Sequence, residues 1–176
     1  MIGEHRKARA RRIVTGVDRD GRSTIVEDRM TPTHLVTDAY TLNQIWQATA
    51  VPVAVTAENT LGDTAVIPPP PRGFTFVVTT FRPDHEWDYE HGWATALAES
   101  GAGDTIQDGI GIPGLHATDT IDLVTVISGE IYAITETAET LMRPGDSLVQ
   151  RGTKHAWSNR GDEPCTIVAV HVAAAR

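Results

Sequence analysis

Between residues 120 and 172 the chain is cut into short runs of β-forming residues, each bounded by a turn-forming cluster. The runs are 120–127, 130–135, 140–142, 147–150 and 165–172. Ser128-Gly129, Thr137-Ala138, Pro144-Gly145-Asp146 and Arg160-Gly161-Asp162-Glu163 supply the bends. Branched Val, Ile and Thr favour extended backbone, and Gly, Pro, Asn and Asp each favour turns for their own steric reason. This alternation describes a meander of antiparallel strands folded into a sandwich or barrel. Helical propensity is confined to 93–100, where Ala94, Ala96, Leu97, Ala98 and Glu99 support a turn or two.

Upstream, Ile13-Val14-Thr15 and Thr24-Ile25-Val26 flank Asp20-Gly21 and form a hairpin pattern over 12–30. Residues 42–55 add a strand or two, with Ile45 and Trp46 expected to be buried. Pro68 to Pro71 cannot donate ladder hydrogen bonds and make a stiff connector. Residues 73–81 are a strand, and 83–114 form a polar, Gly-rich excursion of the length used for lids and binding loops. About 70 β-rich residues would not bury a core alone. The expected architecture is therefore all-β, with 1–72 an N-terminal strand extension packed on a barrel formed by 73–176. No internal repeat suggests a second barrel.

Charge narrows the partners. Fifteen basic and 23 acidic side chains leave a net charge of −8, which disfavours nucleic acid as a ligand of the domain. Arg6, Lys7, Arg9, Arg11 and Arg12 crowd the N-terminus and read as a frayed, solvated arm. No apolar stretch follows them as in a secretory signal, and no run has the roughly 20 apolar residues of a membrane-spanning helix. Cys165 is the single cysteine, so no intrachain disulfide or Cys-rich zinc site is possible, and its neighbours make it a strand residue. A cytoplasmic setting is expected, without nucleic-acid or membrane partners. A homodimer is expected as well, to protect sheet edges and the N-terminal strands.

The chemistry concentrates between His116 and Asn159. Along an extended strand His116, Thr118, Thr120 and Asp122 share one face. His155 returns about 30 residues later, after a hairpin and the Pro-Gly-Asp turn. Two imidazoles and a carboxylate converging in a barrel suit Fe, Mn, Ni or Zn and leave coordination positions for substrate, oxygen or water. Without metal, the same residues form an internally hydrogen-bonded polar core, in which His155 and Asp122 can act as acid and base. Trp157 shares the His155 face and either walls the site or packs in the core. Asn159 reads as a turn residue, His171 as structural, and His85 and His91 as lid residues or a solvated loop.

These segments resemble the paired motifs of the cupin superfamily. The matching positions are His116, Asp122 and Gly129, then Pro144, Gly145, Asp146, Gly152, His155 and Asn159. The resemblance implies a double-stranded β-helix, or jelly-roll barrel. It also implies a divalent metal at His116, Asp122 and His155, the residues that would carry catalysis. Thr118 stands where the superfamily has a second histidine, Asp122 where it has Glu, and Gln150 where it has Pro. Thr118 is expected to hold a water or substrate oxygen in place of the missing ligand.

The His-x-Thr-x-Thr-x-Asp run is similar to a subgroup of small bacterial and fungal cupins. Some fungal relatives sit in polyketide pathways and are described as oxidoreductases. The implied function is a metal-dependent oxidoreductase or dioxygenase acting on a small organic, aromatic or polyketide-like substrate. A lyase or isomerase (dehydratase, decarboxylase or cyclase) using the metal or His155 and Asp122 as acid and base, and a non-catalytic small-molecule-binding barrel, are the alternatives.

Overall fold

A computed structural model describes residues 3–107 and 111–176, so residues 108–110 of the expected excursion lie outside the described residues. Its strands are β1 (Arg11–Val17), β2 (Ser23–Met30), β3 (His34–Val36), β4 (Tyr40–Ala48), β5 (Phe74–Phe81), β6 (Thr120–Ser128), β7 (Ile131–Thr135), β8 (Glu139–Met142), β9 (Ser147–Gln150), β10 (His155–Ser158) and β11 (Cys165–Ala173). Helix α1 (Trp93–Glu99) lies between β5 and β6. One sheet runs β3-β4-β5-β11-β6-β9 and a smaller one runs β10-β7-β8, while β1 and β2 form a separate ribbon. This is the all-β jelly-roll arrangement that the sequence implies.

The large sheet is built around β11, which pairs antiparallel with both β5 and β6. Alternation turns Val77, Ile167, Ala169, Val124 and Val126 inward, where they join Ile131, Met142 and Trp157 from the smaller sheet in one apolar cluster. Cys165 sits in the same core with no exposure, and burial pushes its thiol up to about 12. Strand β4 pairs with β5 across the connector, so residues 40–48 belong to the large sheet itself. Ile45 and Trp46, expected to be buried, are only half-buried. A register shift between Gln44 and Trp46 interrupts the ladder there.

Two glycines of the motif pair explain themselves by close approach. Gly129 has φ +69°, and a Cβ there would lie 2.6 Å from the Pro164 carbonyl oxygen and 2.8 Å from the Cys165 Cα. Gly152 has φ +65° and passes so near β6 that a Cβ would lie 2.9 Å from the Thr118 carbonyl oxygen. Both positions combine left-handed backbone with no room for a side chain.

The N-terminal arm is not frayed. Arg6 pairs with Asp38, Lys7 with Glu4, Arg11 with Asp28 and Arg12 with Glu27, while Arg9 donates to the Thr31 carbonyl. The basic cluster is thus matched by acids, several distant in sequence. The excursion after β5 is also more ordered than its composition suggests. Asp84 accepts hydrogen bonds from the Ser158 hydroxyl at 2.6 Å and the Asn159 amide at 2.9 Å, tying the segment to the end of β10. Trp87, Tyr89 and Trp93 pack edge to face, with centroids 5.4–6.2 Å apart, and α1 buries Trp93, Ala96 and Leu97.

Candidate functional site

A cavity of about 60 Å³ lies inside the jelly roll, with His116, Thr118, Thr120, Asp122, His155 and His171 on its polar side. Tyr40, Leu42, Phe81, Trp93, Leu97 and Trp157 form much of its apolar side. At ~15 Å³ per water, the space holds about four waters or a small organic fragment.

Local backbone pairing brings the two imidazoles together. The His116 amide donates to the His155 carbonyl at 2.9 Å, and the His155 amide returns the bond at 2.9 Å. Directly opposed residues of an antiparallel pair project to the same side, and the ring centroids stand 4.3 Å apart. Each ring is then fixed by a carbonyl two residues upstream. His116 Nδ1 bonds to the Gly114 carbonyl at 2.8 Å, and His155 Nδ1 to the Thr153 carbonyl at 3.0 Å. A carbonyl only accepts, so each Nδ1 carries the hydrogen and each Nε2 keeps its lone pair. Burial lowers the pKa of both rings, and for His155 burial and the neighbouring His116 bring it to about 3. Both imidazoles are neutral near pH 7.

Asp122 reaches the cavity from β6. In register it is flanked by Gln150 of β9 and His171 of β11, and His171 is in turn opposite Thr75 of β5. A polar row therefore crosses the inner face of the sheet and continues to Gln47 of β4, whose amide donates to the Thr75 hydroxyl at 3.1 Å. Gln150 is committed elsewhere, donating to the Thr153 carbonyl and hydroxyl and bracing the loop that carries His155. Asp122 Oδ1 is buried with no hydrogen-bond partner.

His116, Thr118, Asp122, His155 and Trp157 all line the cavity, and Thr118 is occupied with Thr120 at 2.7 Å between hydroxyl oxygens. Trp157 serves both expected roles, 6.0 Å from the His155 ring and 5.9 Å from Phe81 between centroids. Asn159 organises a turn, donating to the Glu163 carbonyl and accepting from the Gly161 amide. His85 and His91 are exposed and not among the cavity residues; His91 pairs with Asp88. His171, expected to be structural, lines the cavity, and its Nδ1 bonds to the Ile67 carbonyl at 3.2 Å. Nothing in the local sequence marks it, because its place beside Asp122 depends on the pairing of β11 with β6.

The donors suit a divalent ion by chemistry. Two neutral imidazoles with anchored Nδ1 edges and a carboxylate oxygen without a partner are what nitrogen–oxygen ligation requires. They do not form a closed set: among the described residues no three His, Cys, Asp or Glu side chains stand together as metal ligands.

A jelly roll with this motif pair around inward His116, His155 and Asp122 side chains has the cupin fold. Residues 101–171 match the family profile described as the cupin domain. Over 47 residues it is 43% identical to phomopsin biosynthesis cluster protein C' of Diaporthe leptostromiformis, covering 26% of this chain and 25% of that protein. Over 48 residues it is 48% identical to oryzines biosynthesis cluster protein J of Aspergillus oryzae, covering 27% of each. The match thus spans about a quarter of the length of these curated relatives. Among solved structures, the Schizosaccharomyces pombe Cnp3 cupin domain aligns with TM-score 0.47 and 9% identity over 93% of this chain and 87% of that one. Ectoine synthase from P. lautus aligns with TM-score 0.46 and 11% identity over 82% and 72%.

Proposed function

We propose that this cupin-domain protein is an enzyme acting on a small organic molecule with an apolar body and one polar end. The observation that carries the reading is the bare Asp122 Oδ1 on the same largely apolar cavity as two neutral imidazoles. Most buried polar groups find a hydrogen-bond partner, and among the described buried atoms without one, Asp122 Oδ1 is the carboxylate oxygen. Leaving an acceptor bare costs about 1–3 kcal/mol, a cost that an incoming ligand would relieve. The similarity to fungal biosynthesis-cluster proteins supports a role in making small molecules.

The reaction class we propose first is oxidation of that molecule by dioxygen, with one redox-active divalent ion of Fe, Mn or Ni. His116 and His155 would hold the ion through Nε2, with Asp122 as the carboxylate ligand. When bound, it would supply Lewis acidity and a place for oxygen or substrate. The chain's own groups set the conditions. Gly114 and Thr153 carbonyls fix the ring tautomers, the Thr118–Thr120 hydroxyl pair offers a polar contact to the substrate, and Trp93, Leu97 and Trp157 exclude water.

A second reading is favoured by the lack of a three-donor cluster among the described residues. In it, a lyase or isomerase uses His155 Nε2 and Asp122 to move a proton without metal. Elemental analysis of untagged protein, after anaerobic reconstitution, separates the two. The first reading expects about one equivalent of metal in wild type and loss of it in His116→Ala. A metal-free wild type would refute that reading and leave proton-transfer chemistry; saturable ligand binding without turnover would refute both.

A further inference from the structure

Three imidazoles line the cavity, and the reading above uses two of them. The third, His171, stands on β11 directly opposite Asp122 of β6. Opposed residues of an antiparallel pair share a face, with Cβ atoms roughly 4.5–5.5 Å apart. His171 and Asp122 therefore enter the cavity side by side, Asp122 with its Oδ1 bare.

The three rings are anchored alike. In each, Nδ1 bonds to a main-chain carbonyl: that of Gly114 for His116, Thr153 for His155 and Ile67 for His171, at 2.8, 3.0 and 3.2 Å. His171 thus carries its hydrogen on Nδ1 and keeps the Nε2 lone pair, as the other two do. Among the described residues no hydrogen bond takes up any of the three Nε2 atoms.

The carbonyl that orients His171 lies 104 residues away in sequence and is itself held. The Ile67 amide donates to the Ser100 carbonyl at 2.9 Å, just past α1. Pro68 follows and favours extended backbone at Ile67. The proline connector therefore has a part in the site, as the support of an imidazole. Metal-binding imidazoles are fixed in this way, with the far ring nitrogen donating to a carbonyl or carboxylate.

The other polar neighbours of Asp122 are already engaged. Thr118 lines the cavity, but its hydroxyl is held against Thr120. Gln150, across from Asp122 on β9, turns its amide to Thr153. Buried charges are paired or coordinate metals, and imidazole is a donor that suits Fe and Ni.

We propose that His171 is a third nitrogen ligand of the divalent ion, joining His116, His155 and Asp122 in a set of four donors. This rests on the metal-dependent reading above. Among the described residues no three of these side chains stand together as ligands, so an entering ion would draw the Nε2 edges inward on rings held at Nδ1.

Copper(II) serves as the probe, because it heads the affinity order of divalent ions and each nitrogen bound to it splits its electron paramagnetic resonance. Full-length protein, cleared of metal with a chelator and given one equivalent of copper(II), should show three bound nitrogens. His171→Ala should show two, and should bind copper(II) at least about a hundredfold more weakly, beyond the ~10–100-fold of a lost outer partner. Thr118→His added to His171→Ala should restore the third nitrogen, because residue 118 lines the same cavity. A packing role for His171 could not be rescued from there. The wild-type count holds even if those variants fail to fold. Two nitrogens in wild type, or three in folded His171→Ala, would overturn the proposal and leave the metal reading intact. Wild type that binds no copper(II) would overturn both.

Discussion

Replacing Asp122 by Asn should make the metal-free protein more stable while disabling it. Asp122 is 8% exposed and its Oδ1 has no partner, so the folded state carries a desolvated acceptor on an ionisable group. Leaving such an atom unmade costs about 1–3 kcal/mol, with more for a charged group. Asparagine keeps the shape, removes the charge and supplies two donors to a cavity containing two imidazole lone pairs. Part of the penalty should therefore be recovered, about 1–2 kcal/mol. For a domain of this size, each kcal/mol moves Tm by roughly 2–4 °C. A rise of about 2–8 °C is expected by calorimetry in the presence of a chelator. The same substitution should lower metal retention at least about tenfold, because a neutral amide oxygen is a poorer ligand than a carboxylate. A lower Tm for the variant would refute the reasoning, since it would mean that Asp122 is a satisfied structural group.

Two further outcomes follow from burial and backbone. His5, His116 and His155 all have pKa values lowered mainly by burial, so the unfolded chain binds more protons than the folded one below its own histidine pKa of about 6.5. Stability of metal-free protein should hold above pH 6.5 and fall toward pH 5, by up to about 1.4 kcal/mol per pH unit for each histidine; a flat urea midpoint over that window would contradict it. Gly129→Ala should cost about 2–4 kcal/mol in urea unfolding because left-handed strain and collision add. Gly145→Ala, at φ +96° with no atom within 4 Å of the added carbon, should cost only about 1 kcal/mol; equal losses would show that strain alone matters.

Much of this fold was legible because local chemistry and global structure agree. Strands β1, β2, β5, β6, β7, β9 and β11 lie where branched residues cluster, and α1 lies in the Ala-rich stretch. The convergence of His116, Asp122 and His155 on one cavity followed from alternation and the returning hairpin. What escaped depends on pairings between distant segments. The short β3 and β10 have little propensity of their own and are held by β4 and β7. His171 looked like an ordinary strand residue until β11 was set against β6, and the basic arm looked free until its acidic partners were known. Ile45 and Trp46 misled in the opposite direction, expected to be buried but half-buried where the β4 ladder is interrupted.

The anchored excursion between β5 and β6 has an evolutionary consequence. Trp93 and Leu97 come from outside the strands, on a segment tied to β10 through Asp84, while the two imidazoles and the carboxylate belong to the scaffold that the motifs specify. On the proposed function, part of the selectivity would be inherited on a different stretch of the gene from the reactive groups, the strands supplying the rest of the wall through Tyr40, Leu42, Phe81 and Trp157. Drift in residues 83–107 would then reshape which molecule fits, one side chain at a time, with the two imidazoles and the carboxylate left in place. A lineage built this way would change its substrate without inventing a new reaction.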